Sequence, residues 1–208
     1  MEAISTVQKH WDQVYTNKVL EESSWYQPKP DTALDFILNA GLSKDAAIID
    51  MGGGDSLLVD HLLDLGYTNL CVLDISAKAL EKAQKRLGAQ ANAVNWIVAD
   101  AANFKTTQQY DFWHDRAAFH FLTNDADILH YVQTAGTAIK PGGHLMIGTF
   151  SEQGPQKCSG LEIRQYSAQS LSEVFASHFQ KIKCFTLDHY TPTQAVQNFT
   201  FCVFRRKD

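Results

Sequence analysis

The sequence predicts an α/β fold: a three-layer sandwich in which helices cover both faces of a seven-stranded, mostly parallel sheet that ends in an antiparallel hairpin. Three observations predict it. The short apolar run Ile48-Ile49-Asp50 turns through Gly52-Gly53-Gly54 into Leu57, Leu58, Leu62 and Leu65 at helical spacing, which reads as strand, tight loop and helix. Strand-like runs then alternate with helical patterns as far as Phe150, the rhythm of right-handed crossovers. Two closing runs, Ile182 to His189 and Asn198 to Arg205, are joined through Pro192 by a loop too short for a helix, so they must pair antiparallel.

Taken in order, Val7, Trp11, Val14 and Tyr15 continue a helical spacing that starts at Ile4 and ends near Asn17. Glu22 to Pro30 cannot be regular across its prolines, and its Trp25-Tyr26 pair reads either as a pocket wall or lid or as an anchor tying the arm to the core. A helix capped by Asp31 runs to Asn39 and stops at Gly41. After the glycine loop come strand Leu70 to Leu73, helix Ser76 to Leu87, strand Val94 to Ala99 and strand Tyr110 to His114. A helix from Asn124 to Ile139 leads through Lys140-Pro141-Gly142-Gly143 into strand His144 to Phe150. A polar loop, Ser151 to Tyr166, and a helix from Ser167 to His178 precede the hairpin.

A chain of 208 residues that is 45% hydrophobic can bury a full core, and one domain over residues 1–208, with 1–30 as an N-terminal arm, accounts for it. The net charge of −5 argues against a nucleic-acid or anionic-membrane surface. Lys82, Lys85 and Arg86, and the tail group Arg205, Arg206 and Lys207, read as solvated. Four cysteines show neither close pairing nor metal-ligand spacing, and Cys71, Cys184 and Cys202 sit in apolar runs where a reduced thiol packs as a small hydrophobe. No signal peptide or membrane-length apolar run is visible, so the expectation is a cytoplasmic protein, monomeric or homodimeric.

The glycine loop lets a ligand press on bare backbone, and Asp74, twenty positions after Gly54 at the end of the next strand, stands where ribose hydroxyls are held. With Asp50-Met51-Gly52-Gly53-Gly54, Asp74, Asp100 after the third strand, Lys140-Pro141-Gly142-Gly143 and the closing hairpin, the chain resembles the class I S-adenosylmethionine-dependent methyltransferases, which have a Rossmann-like sheet. Tyr110 to Arg116 and His10 to Tyr15 look most like the thiopurine methyltransferase-like and protein lysine methyltransferase-like branches. The resemblance implies S-adenosyl-L-methionine as cofactor, leaving S-adenosyl-L-homocysteine. It implies that Gly52, Gly53 and Gly54 admit the methionine part, Asp74 the ribose, and Asp100 and Ala101 the adenine, with Ile75 packed on the ring. Asp50 orders the loop or reaches the amino group through water, and Trp11 and His114 complete the cofactor site. Ser56 stands where many members carry a third glycine, a position expected to lie already in the helix.

A sulfonium methyl is already activated, so in-line transfer mainly needs an aligned, dehydrated acceptor and at most a base. His114, Asp115 and Arg116 lie at the carboxyl end of the fourth strand, where the reacting centre belongs. His114 is the candidate base, Asp115 its orienting group or an ammonium binder, and Arg116 a carboxylate holder; their alternation along a strand forbids all three from sharing one pocket. His120 reads equally as a core histidine, and His189 as surface or pocket rim. Trp25, Tyr26, Cys158, Arg164 and Tyr166 are the candidate acceptor contacts, since the loop after the fifth strand builds that wall. The acceptor is a small molecule or a specific protein side chain. The alternatives are an inactive cofactor- or partner-binding module and, less favoured, a nicotinamide-dependent oxidoreductase, whose Gly-x-Gly-x-x-Gly count fails here at Leu57.

Overall fold

A computed structural model describes residues 5–208; Ile4 lies outside them. The helices are α1 (Thr6–Asn17), α2 (Asp31–Asn39), α3 (Leu58–Asp64), α4 (Ala77–Leu87), α5 (Asp125–Ala138) and α6 (Ala168–Phe175). The strands are β1 (Ala47–Met51), β2 (Asn69–Asp74), β3 (Val94–Val98), β4 (Tyr110–Arg116), β5 (Ile139–Phe150), β6 (Lys157–Cys158), β7 (Leu161–Glu162), β8 (Phe179–Tyr190) and β9 (Val196–Arg206). Seven strands form one sheet in the order β3-β2-β1-β4-β5-β9-β8. Strands β1 to β5 run parallel, while β9 is antiparallel to both β5 and β8. Among the described residues no helix is long and apolar enough to cross a membrane.

The period of two along β4 explains the layering: Phe112 and Trp113 are both fully buried, but on opposite faces. Phe112 packs with Ile37, Leu62 and Leu80 of α2, α3 and α4; Trp113 packs with Tyr131 and Phe175 of α5 and α6. The chain leaves β1 toward β2 and β3, then returns to β4 on the other side. That reversal opens a crevice at the carboxyl ends of β1 and β4, which is where such sheets bind ligands.

Several local expectations need correction. Asp31 is the first residue of α2 and not its cap; Pro30 holds the cap position, with no side-chain hydrogen bond. Ser56 precedes α3, because its N–H still bonds the Gly53 carbonyl at 2.9 Å and the backbone is completing the glycine turn. The polar loop after β5 folds partly into the ribbon β6–β7. Cys184 and Cys202 are not separate thiols: they lie directly opposite in the β8–β9 register and form a disulfide, a pairing that their spacing of 18 residues hides and the hairpin creates. Cys71 and Cys158 are free and buried. Nor is Arg86 merely solvated, since it donates to the Asp55 and Ser56 carbonyls and pairs with Asp60, holding the exit of the glycine loop.

Candidate active site

The crevice is shaped first by backbone. Gly52 and Gly54 have φ of +66° and +53°, a left-handed conformation that favours glycine, and the N–H of Gly53 is fastened to the Leu73 carbonyl at 3.1 Å. A Cβ on Gly53 would stand 2.5 Å from Asp50 Oδ2, and one on Gly54 would strike the Tyr15 hydroxyl. Gly52 and Gly53 therefore line the pocket with bare backbone where β1 ends, and Gly54 keeps room for Tyr15 beside it.

Asp74 closes β2 and is buried, with no cation paired to it among the described residues. One oxygen accepts the Ser76 N–H at 2.8 Å, so it does fasten the start of α4, yet the residue also lines the pocket. Burial, against the pull of backbone N–H groups, pushes its carboxyl up to about 7. Beyond it lie Ile75, Asp100 and Ala101; Asp100 also bonds the Ala102 N–H at 2.9 Å, holding the turn after β3.

On the other side of β1 the register sets Asp50 opposite His114. Their side chains meet: His114 Nδ1 lies 2.7 Å from Asp50 Oδ1, both nearly buried, and a carboxylate can only accept, so Nδ1 carries the proton. Nε2 is left buried without a partner in a residue that lines the pocket. An oriented imidazole with a free ring nitrogen is the arrangement a general base requires.

Asp115 points the other way and is corrected from site to core. It is fully buried, accepts from Ala118 and Phe119 N–H at 3.0 Å each and from the Tyr131 hydroxyl at 2.6 Å, and its carboxyl is pushed up to about 6 by burial. The orienting carboxylate of His114 is Asp50. Replacing Asp115 with Ala should lower unfolding free energy by about 3 kcal/mol or more, as three donors lose their acceptor in the core. Urea unfolding measures it, and S-adenosylhomocysteine affinity should stay within threefold.

Arg116 returns to the pocket side. Its Nη1 donates to the Trp25 carbonyl at 3.1 Å and its guanidinium lies 4.8 Å above the Phe199 ring. Nε and Nη2 are buried without partners, and burial lowers the group to about 10.

The arm supplies the remaining wall. Trp11 meets Trp25 at 6.2 Å and Phe121 at 5.1 Å, and Tyr15 meets Trp25 at 5.6 Å, so the aromatic residues anchor the arm and line the pocket together. Asp12 ties α1 to α4 through the Ser76 hydroxyl at 2.6 Å, His10 reaches the Ser159 carbonyl at 3.0 Å, and His189 reaches the Ser24 carbonyl at 2.7 Å. Tyr26 and Cys158 also line it. Two expected acceptor contacts do not. Arg164 turns outward to Asp125 at 2.6 Å, and Tyr166, whose N–H donates to the Phe150 carbonyl and whose carbonyl accepts the Thr200 hydroxyl, buries its ring against Phe119. His120 is a core histidine, its Nδ1 accepting the Phe150 N–H, held near 3 by burial and the neighbouring Arg116 charge. Tyr15, close over Gly54, and Arg86 went unnoticed as site elements; only the helical spacing placed Tyr15 on the buried face.

The cofactor half of this geometry coincides with a known family. The family described as "Methyltransferase domain" matches residues 48–143, from β1 through the glycine loop, Asp74, Asp100 and β4. That stretch is similar to a methyltransferase domain, and the sheet order is that of the Rossmann-like methyltransferase fold. Nodulation protein S of Rhizobium fredii is 29% identical over 80 residues, covering 38% of this chain and 45% of that protein, so the chain spans less than half the length of this curated relative. The N-methyltransferase NodS of Bradyrhizobium japonicum, solved with S-adenosylhomocysteine, superposes with a TM-score of 0.70 at 14% identity, covering 95% of this chain and 98% of that one. A structure described for the conversion of a disulfide bond into a thioacetal group during echinomycin biosynthesis gives 0.76 at 22% identity, over 96% and 93%. The methyl donor of the family is S-adenosylmethionine, and the residues present fit it: a cradle that a Cβ would fill and a buried, cation-free carboxylate at the end of β2.

Proposed function

We propose that this protein is an S-adenosylmethionine-dependent methyltransferase that moves a methyl group from S-adenosylmethionine to a small-molecule acceptor seated between His114 and the aromatic arm. The observation that carries this reading is the Asp50–His114 pair with Nε2 left free at the pocket. The bound cofactor supplies a methyl group activated by its sulfonium. Asp74 holds the ribose, Gly52, Gly53 and Gly54 leave room for the methionine part, and Ile75, Asp100 and Ala101 face the adenine. His114 Nε2 takes the proton of a thiol, hydroxyl or ammonium acceptor, while Asp50 acts as a positioning residue that holds the ring and steadies the imidazolium. Trp11, Trp25 and Tyr26 exclude water, and the enclosure they make with Cys158 favours a small acceptor over a folded protein surface.

The test is calorimetric titration with S-adenosylhomocysteine, with NAD as control, followed by label transfer from methyl-labelled cofactor to small thiols, amines and carboxylates and to cell-extract protein. Binding of S-adenosylhomocysteine with labelled small products supports the proposal. Label only in precipitated protein assigns a side-chain acceptor, and tight binding with no transfer to any acceptor assigns a binding module. The arm as a moving lid makes a separate expectation: S-adenosylhomocysteine should change tryptophan fluorescence, and the change should shrink in Trp11→Phe and Trp25→Phe. An unchanged spectrum removes the lid.

A further inference from the structure

Resting on the acceptor pocket just proposed, we infer that the acceptor of this enzyme is a small carboxylate, recognised by Arg116. The guanidinium is fixed on two sides. Nη1 is spent on the Trp25 carbonyl, one face rests on the Phe199 ring, and the remaining edge, Nε with Nη2, meets no acceptor although both atoms are buried. That edge is the side-on fork, whose two parallel N–H groups match the two oxygens of one carboxylate. A buried cation without a counter-ion is costly to fold and is kept where a ligand completes it.

Position separates this anion site from the cofactor's ribose end. Asp74 ends β2 on one side of β1, whereas Arg116 ends β4 on the other and leans toward β9. Charge sets the class of anion. Among the described residues lining the pocket, Arg116 is the only Lys or Arg, and Asp50, Asp74, Asp100 and Asp127 share the lining. One guanidinium among carboxylates balances a monoanion; a phosphate dianion would leave a charge uncompensated. The walls beside it, Trp25, Phe121, Ala117 and Cys158, are apolar or aromatic, so the body of the acceptor is apolar. Arg116 follows His114 by two residues on the same strand face, so a carboxylate on its fork brings the rest of a small acceptor toward Nε2.

The probes are benzoate and its uncharged isostere benzamide, titrated calorimetrically into the protein saturated with S-adenosylhomocysteine. Benzoate should bind at least tenfold more tightly than benzamide. Arg116→Gln should erase that preference while leaving S-adenosylhomocysteine affinity within threefold, and Arg116→Lys, which keeps the charge and loses the fork, should retain part of it. Ligand-free Arg116→Gln should melt no lower than the wild type, because it removes an uncompensated charge; a lower melting temperature would make the guanidinium structural and overturn the inference. Equal affinity for the two probes, binding of neither, or a preference surviving in Arg116→Gln would also overturn it. Loss of S-adenosylhomocysteine affinity in that variant would instead give Arg116 to the cofactor's own carboxylate. Failure of the wild type to bind S-adenosylhomocysteine is a different result and sinks the methyltransferase proposal itself.

Discussion

His114→Gln is expected to slow methyl transfer by about 10²- to 10⁴-fold for an acceptor that is protonated at the working pH, the range lost with a positioned general base. Glutamine keeps much of the volume and polarity of the ring, so the cradle around Gly53 and Asp50 stays formed and S-adenosylhomocysteine should still bind. Asp50→Asn should share part of the loss, because an amide no longer steadies the imidazolium that forms when Nε2 takes the proton. Single-turnover transfer of labelled methyl across pH measures both variants. A His114→Gln rate within tenfold of wild type would show that the acceptor needs no base.

Asp74→Asn should move binding and stability in opposite directions. Losing a charge-assisted hydrogen bond to the ribose costs about 1.5–3 kcal/mol, or roughly ten- to a hundredfold in S-adenosylhomocysteine affinity. The ligand-free protein, by contrast, should gain stability. Burial raises the folded carboxyl from 3.8 to about 7, so between these values the folded state binds more protons than the unfolded chain. Wild-type stability therefore falls as pH rises from 4 to 7 and levels above that, by up to about 4 kcal/mol from this residue. The Asn variant should lose that slope and be the more stable form at pH 8. Urea unfolding at pH 5 and pH 8 checks the sign, and equal slopes in the two proteins would remove Asp74 as the source.

The sheet was readable because most strands carry their own apolar run and several turns, at Gly41, Gly66 and Gly88, their own glycine, signals that need no partner. The glycine loop and Asp74 were readable for the same reason, lying within one βαβ unit of contiguous chain. What escaped was made by register. Asp50 and His114 stand 64 residues apart and become neighbours only because β4 docks beside β1 with those residues opposed. The eye instead pairs His114 with Asp115, its neighbour in sequence and on the wrong face in space. Cys184 and Cys202 are the same case on the hairpin. The loop after β5 misled differently: Arg164 and Tyr166 have the residue types of an acceptor wall, but bonds from their segment's backbone to His120, Phe150 and Thr200 decide where the side chains go, and those bonds have no sequence signature.

The two halves of the pocket come from different parts of the chain. The residues proposed to face the cofactor's ribose and adenine lie within residues 48–143, the stretch that matches the methyltransferase domain, whereas Trp11, Trp25, Tyr26, Cys158 and Phe199 come from segments on either side of it. On the proposed reading, the matched centre would fix the donor and the flanks would dress the entrance for the recipient. If that reading holds, exchanging residues 5–30 and the β6–β7 ribbon between relatives should change the recipient while leaving S-adenosylhomocysteine affinity unchanged.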